Sequence, residues 1–318
     1  MSVLVFAEHS AGKPRKSALE LAAVAKALGG GATALLLGEG ADAAAAALAG
    51  AFDTMLVAAQ VPAGNQLAAV TALQAAAAHT GAKRVLLSAG RFGQAVAPRL
   101  AVRLDAAYLE DVASLEADGA SLRATRLSYL SRVTETVATD AATVVVSIKP
   151  NSWQAAEPGP GAGNVEQLAV EVPAGDLRVR ASDPQKAAAG KVSLSEAATV
   201  VSGGRGVGSA EGFAQLVEPL AEALGGAIGA TRAVVDAGWR PFAEQVGQTG
   251  KTVAPALYVA LGISGAVQHL SGMNRSKVIV TVNRDADAPL FRISDYGIVG
   301  DVSSVVPELL KAVAELDG

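Results

Sequence analysis

Short runs of aliphatic and β-branched residues recur along the chain, each followed by an Ala-rich stretch of helical length, and this alternation constrains the fold more than any other feature. A strand, a helix and a second strand in succession form a βαβ unit, whose strands lie parallel in one sheet with helices on its faces. Residues 3–7 read as a strand and 15–28 as a helix ending at Gly29-Gly30-Gly31. Strands are expected at 33–37, 54–58 and 84–88, and helices at 42–48, 67–79 and 93–104. From Tyr108 to Ile148 the pattern turns to strand-like runs with little helix, including 121–130 and 143–148, which predict extra, partly antiparallel strands. A Pro/Gly loop at 158–163 and extended chain at 165–172 and 177–181 follow, then a domain junction at 186–195. A second series then begins, with strands at 199–202, 256–261, 277–282 and 290–293 and helices at 210–224, 265–270 and 302–316. Pro219 predicts a kink in the first of these helices, whereas Pro307 lies close enough to a helix start to be tolerated.

With 318 residues there is enough chain for two domains, and 51% apolar against 18% charged residues predicts large cores. Only 4% of residues are aromatic, so those cores are built from Ala, Val and Leu. The most apolar helix, 66–82, is interrupted by Gln66, Thr71, Gln74 and His79, which argues against direct membrane insertion. A net charge of −4 argues against nucleic acid, which needs a basic face. The absence of Cys excludes disulfides, thiol catalysis and cysteine-ligated clusters. Three histidines, His9, His79 and His269, have no spacing that makes a metal site, so no metal is expected. Residues 1–7 read as the first strand with no signal or transit peptide ahead of them, and the expectation is a cytoplasmic protein.

Three motifs fall in the last third. Residues 201–209, Val-Ser-Gly-Gly-Arg-Gly-Val-Gly-Ser, run from strand to helix. Their glycines suit a close backbone approach to phosphate, and Arg205 within the turn suits an anion, although the spacing is not G-x-G-x-x-G and a tight turn is the competing reading. Residues 245–252, Gln-Val-Gly-Gln-Thr-Gly-Lys-Thr, imitate a P-loop, but the first required glycine is Gln245 and a strand follows where a helix is needed. Such a loop, rich in backbone N–H groups and small side chains, suits the polar edge of a flat heteroaromatic ring instead. Residues 261–269, Leu-Gly-Ile-Ser-Gly-Ala-Val-Gln-His, imitate the hydrolase elbow G-x-S-x-G, but Ala266 replaces the last Gly and His269 is badly placed to serve Ser264. An anion site around Ser264 is the better reading. Arg232 alone reads as a surface arginine, Asp301 as a helix N-cap, Asn283 as a turn residue and His269 as a structural histidine.

Taken together, segments 200–206, 230–238 (Ala-Thr-Arg-Ala-Val-Val-Asp-Ala-Gly), 245–251, 257–270 and 295–301 (Asp-Tyr-Gly-Ile-Val-Gly-Asp) resemble the electron-transfer flavoprotein alpha subunit in order and spacing. Thr231 stands where the family is expected to have Ser, and keeps the hydroxyl. The fold class the resemblance implies is α/β, with two parallel-sheet domains. One, 1–190, is an adenine-nucleotide-hydrolase-like sheet with extra strands that contacts a beta subunit; the other, 191–318, is a Rossmann-like FAD-binding domain. Carried onto this chain, it places Arg205, Thr231 and Arg232 at the flavin and its phosphates, and the loop Gln245, Val246, Gly247, Gln248 and Thr249 along the isoalloxazine. Ser264, Gly265, Ala266, Val267, Gln268 and His269 would serve the diphosphate, ribityl and O2 region, and Asn283 and Asp301 the adenosine. Arg232 and His269 (if protonated) would tune the flavin by stabilising negative charge on the ring, and Thr249 by a hydroxyl hydrogen bond near N5. The implied partners are the beta subunit in a heterodimer, acyl-CoA or other flavoprotein dehydrogenases as donors, and a quinone oxidoreductase as acceptor. The implied function is an electron carrier with no substrate turnover of its own. The competing reading is a stand-alone flavin-dependent oxidoreductase; a third is a nucleotide-binding regulator without redox chemistry.

Overall fold

The computed structural model describes residues 2–119, 121–129, 133–159, 161, 163–179, 194 and 197–316. The chain divides into two compact units, Met1–Pro184 and Gln185–Gly318. Of the junction expected at 186–195, all but Leu194 lies outside the described residues.

The first unit runs β1 (Ser2–Phe6), β2 (His9–Ser10), β3 (Lys13–Pro14), α1 (Lys16–Ala27), β4 (Gly31–Leu37), α2 (Ala41–Ala47), β5 (Thr54–Ala58), α3 (Gln66–Thr80), β6 (Arg84–Ser88) and α4 (Arg91–Arg103). It continues through β7 (Ala107–Asp118), β8 (Ser121–Ser128), β9 (Val133–Thr139), β10 (Val144–Ile148) and β11 (Asn164–Gln167). Its nine-stranded sheet has the order β11-β5-β4-β1-β6-β10-β7-β8-β9. Pairing is parallel from β11 to β7, and antiparallel only where β8 and β9 extend the edge. The central strands are almost wholly buried, as expected for a sheet covered on both faces. Ala18, Ala22 and Ala44 pack on one face and Ala69, Ala72 and Ala76 on the other, so small side chains bring the helices close to the sheet. The hairpin β2–β3 carries no periodic signal and was not expected from the sequence. Residues 177–179 form no strand, and the rest of the extended segment expected at 177–181 lies outside the described residues.

The second unit runs β12 (Thr199–Gly203), α5 (Ala210–Gly212), α6 (Glu218–Ala223), β13 (Ala227–Ala230), α7 (Arg232–Asp236), β14 (Leu257–Leu261), α8 (Val267–Leu270), β15 (Val278–Asn283), β16 (Tyr296–Val299) and α9 (Val302–Leu316). Its five strands are all parallel, in the order β13-β12-β14-β15-β16. Three details differ from expectation. Residues 290–293 form a 3-10 turn, Pro289–Ile293, and the edge strand is β16 instead. The helix expected at 210–224 contains a π turn, Phe213–Val217, immediately before Pro219 near the start of α6; a widened turn accommodates a residue that has no N–H to donate. The strand Ala227–Ala230 was not expected, because Ala-Ile-Gly-Ala has no β-rich signature. No described helix is long and apolar enough to cross a membrane.

Candidate functional site

The chain passes from β12 outward to β13 and then back across to β14 on the other side of β12. The loops leaving β12 and β14 therefore diverge at their C-terminal ends, the topological switch point where open parallel sheets bind ligands. A cleft of about 610 Å³ opens there, within the size range of small-molecule sites. Every strand end but that of β16 contributes: Gly204, Arg205 and Gly206 after β12, Thr231 and Arg232 after β13, Ile263 and Ser264 after β14, and Asn283 and Arg284 after β15. The loop Gln245–Thr249, with Ala266, Gln268 and His269, forms another part of the lining, and Asp236 and Asp285 bring carboxylates to it.

The glycines of the first motif work mainly on the protein itself. Gly206 N–H donates to the carbonyl of Gly262 at 3.0 Å, and Gly204 N–H to that of Leu261 at 2.8 Å. A Cβ added at Gly206 would sit 2.6 Å from Gly262 Cα, so the two loops meet backbone to backbone. Gly262 itself has φ +62°, the left-handed region. The expected close approach to phosphate at Gly204 is thus already taken by the Gly262 backbone.

The second motif is not a P-loop. Lys251 N–H donates to the Gln245 carbonyl at 2.7 Å, and extended chain leading into β14 follows where a helix would be required. Gln248 N–H donates to the Gln268 carbonyl at 2.8 Å, tying the loop to the start of α8, while buried Gln245 donates to Thr249 Oγ at 3.0 Å. The loop is therefore held from below and presents Gln248 and Thr249, both exposed, to the cleft.

The hydrolase reading also fails on geometry. His269 Nε2 is bonded to the Tyr258 hydroxyl at 2.9 Å, and its Nδ1 has no hydrogen-bond partner, so Ser264 has no base. Burial lowers the His269 pKa to about 4, only partly opposed by the Val246 carbonyl. The chain's own surroundings thus hold this imidazole neutral, so the protonation on which its charge-stabilising role depended is not favoured. Arg232 is exposed, its side chain 69% accessible, and pairs with Asp236 at 3.2 Å. Arg205 is also exposed and has no ion pair among the described residues. Arg284 makes the third cation on the rim. Asn283 is buried, donating to the Ile263 carbonyl at 2.9 Å and accepting from Asp285 N–H.

Of the residues singled out from sequence, Gly265, Val267 and Asp301 are not among those lining the cleft. Gly265 packs against Leu290 instead, with φ +89°. Asp301 accepts from the N–H and hydroxyl of Ser303 at the start of α9, the capping role that competed with an adenosine contact. Sequence reasoning missed Arg284, Asp285 and Tyr258; a charged pair after a strand end is a weak signal, and a tyrosine inside a strand reads as core. Among the described residues no group of acidic or imidazole side chains is arranged to hold a metal. A smaller cleft of about 250 Å³ lies at the C-terminal end of β1 in the first unit, lined in part by Glu8, His9, Arg15 and Phe92.

Residues 193–274 match the family described as the electron transfer flavoprotein FAD-binding domain, and residues 3–173 the electron transfer flavoprotein domain. An "Electron transfer flavoprotein subunit alpha" of Mycobacterium tuberculosis is 42% identical over 328 aligned positions, covering 99% of both chains. Proteins of the same description are 42% identical in Paracoccus denitrificans, covering 97% of this chain and 99% of the relative, and 44% identical in Bacillus subtilis, covering 71% and 69%. The three arginines on the rim, Arg205 having no ion pair among the described residues, and the size of the cleft fit an anionic heteroaromatic cofactor of that kind.

Proposed function

The chain belongs to the electron transfer flavoprotein alpha-subunit family, and on that premise we propose that the cleft at the β12/β14 switch point holds FAD for relay of electrons between protein partners. FAD, the cofactor of the family's matched domain, supplies the redox chemistry when bound. The chain's own residues bind it, orient it and set the charge around it. Arg205, Thr231 and Arg232 would hold its anionic parts. The Gln245–Thr249 loop would hold the ring, with Ser264, Ala266, Gln268 and His269 from the opposite wall. Asn283 would serve the adenosine end. Asp301 is left out of this set because it does not line the cleft and its Oδ1 caps α9 through Ser303.

The observation that carries a carrier rather than an enzyme is the state of His269. Among the described residues it is the one imidazole on the cleft wall; its Nε2 is bonded inward to Tyr258, its Nδ1 is buried and burial makes it a poor proton acceptor, so it serves no substrate as a base. The remaining titratable groups of the wall are arginines and aspartates, with Asp236 paired to Arg232. Electrons then arrive from and leave to other redox proteins: acyl-CoA or other flavoprotein dehydrogenases as donors, and a quinone oxidoreductase as acceptor. The first unit contributes surface to a heterodimer with a beta subunit, and the complex works in the cytoplasm.

The test is donor dependence. The flavin of the co-purified heterodimer should bleach when an acyl-CoA dehydrogenase and its acyl-CoA are added together, and stay oxidised with the acyl-CoA alone. Bleaching by a small reductant substrate without any dehydrogenase would favour a stand-alone oxidoreductase.

A further inference from the structure

Beneath the cleft, three polar side chains meet in an otherwise apolar layer. Ser202 on β12, Tyr258 on β14 and His269 on α8 are each buried, within the layer that also contains Val246, Met273 and Leu290. Ser202 and Tyr258 lie on the same face of adjacent strands, two residues apart in register, since Val200 pairs with Tyr258 and Ser202 with Ala260. The Tyr258 hydroxyl reaches His269 Nε2 at 2.9 Å, with the rings tilted 59° to each other. A hydroxyl in such a layer must place its proton on something, because a buried unsatisfied donor costs about 1–3 kcal/mol. If Nε2 carried the proton, the phenol would have to give its own to Ser202, which makes no hydrogen bond of ordinary geometry, and Nδ1 would be left as a buried lone pair. If the phenol donates to Nε2, the imidazole proton sits on Nδ1, beside the Val246 carbonyl, a group that can only accept.

We propose that Tyr258 is the positioning residue for His269 on the cleft wall, its hydroxyl donating to Nε2 and thereby fixing the neutral tautomer that carries its proton on Nδ1. The proposal rests on the FAD-binding reading for its effect on the cofactor, but not for the tautomer itself. It gives the cleft wall a neutral imidazole held in place by the core rather than a charge supplied by protonation. Burial agrees: it pushes the Tyr258 hydroxyl well above its usual range, so the phenol keeps its proton at neutral pH.

Two measurements on the full chain, co-purified with its beta subunit, test this. Imidazole nitrogen NMR of the flavin-free complex should report His269 protonated at Nδ1 in the wild type. Tyr258→Phe, which keeps the buried ring, should release that preference, with Nε2–H appearing. In the second measurement, Tyr258→Phe should weaken FAD binding roughly threefold to tenfold, the range of one neutral hydrogen bond, and have no further effect in a His269→Gln background. An Nε2-protonated wild type would overturn the proposal, as would an equal loss from Tyr258→Phe whether or not His269 is present. Should the complex bind no flavin at all, the tautomer result still decides the role of Tyr258, while the FAD reading alone falls.

Discussion

Gly206 and Gly262 show how a residue that reads as a ligand contact can be committed to the fold. Their backbones touch where two loops leave the sheet, so a side chain at either position displaces main chain rather than a mobile neighbour. Gly206→Ala should destabilise the second unit by about 1–3 kcal/mol, seen as an earlier urea transition of Trp239 fluorescence; an unchanged transition would mean the loops separate easily. Arg232 is the opposite case, an exposed cation whose one ion-pair partner among the described residues is Asp236. Arg232→Ala should leave that transition within about 0.5 kcal/mol and shift the flavin potential to more negative values, because negative charge on the ring loses a neighbouring cation. Arg205 and His269 could be singled out in the sequence as residues of the cleft wall because each sits within a glycine motif, and Arg232 only through the family resemblance. Tyr258 was not, because an aromatic residue inside a strand has a sufficient explanation in packing, and its hydroxyl becomes informative only once His269 is placed beside it.

At the scale of elements, the strand–helix alternation located nearly every central strand, since a parallel sheet buried on both faces leaves an uninterrupted apolar run. It misplaced the turn Pro289–Ile293, whose apolar residues read as a strand; the fixed φ of Pro289 and the packing of Leu290 on Gly265 favour a turn instead. Capping was equally hard to foresee in its reach. Asn65 accepts from Leu67 N–H and Ala68 N–H at the start of α3, and its amide also donates to the carbonyls of Asp176 and Val179, more than 100 residues away. Asn65→Ala should therefore cost more than a cap alone, on the order of 2–4 kcal/mol, because it also unpairs two carbonyls. Trp153 fluorescence during urea unfolding of the first unit would measure it, and a loss below about 1 kcal/mol would show that water replaces these bonds.

The whole molecule carries one tryptophan in each unit, Trp153 and Trp239, and buried titratable groups that respond to acid with opposite sign. In the second unit, burial depresses His269 from 6.5 to about 4, so its contribution is complete above pH 6.5 and is lost as pH falls toward 4, up to about 3 kcal/mol. In the first unit, burial raises Glu8 and Glu20 above 4.5, so their contribution is complete below that pH and declines as pH rises through their folded values. Single-tryptophan variants should show the Trp239 transition weakening between pH 6.5 and 4, with His269→Gln removing most of that dependence; equal acid sensitivity in both units would contradict this account. Central to everything above is that the cleft at the switch point holds FAD, and the most direct test is the flavin content of the purified heterodimer with and without a bulky side chain in that cleft. Ser264 is exposed and lines it, so Ser264→Trp fills the space without disturbing the core. The wild-type complex should carry stoichiometric FAD and the Ser264→Trp complex should lose it by on the order of tenfold while still assembling; full retention of FAD in the blocked variant would place the cofactor elsewhere and contradict the assignment.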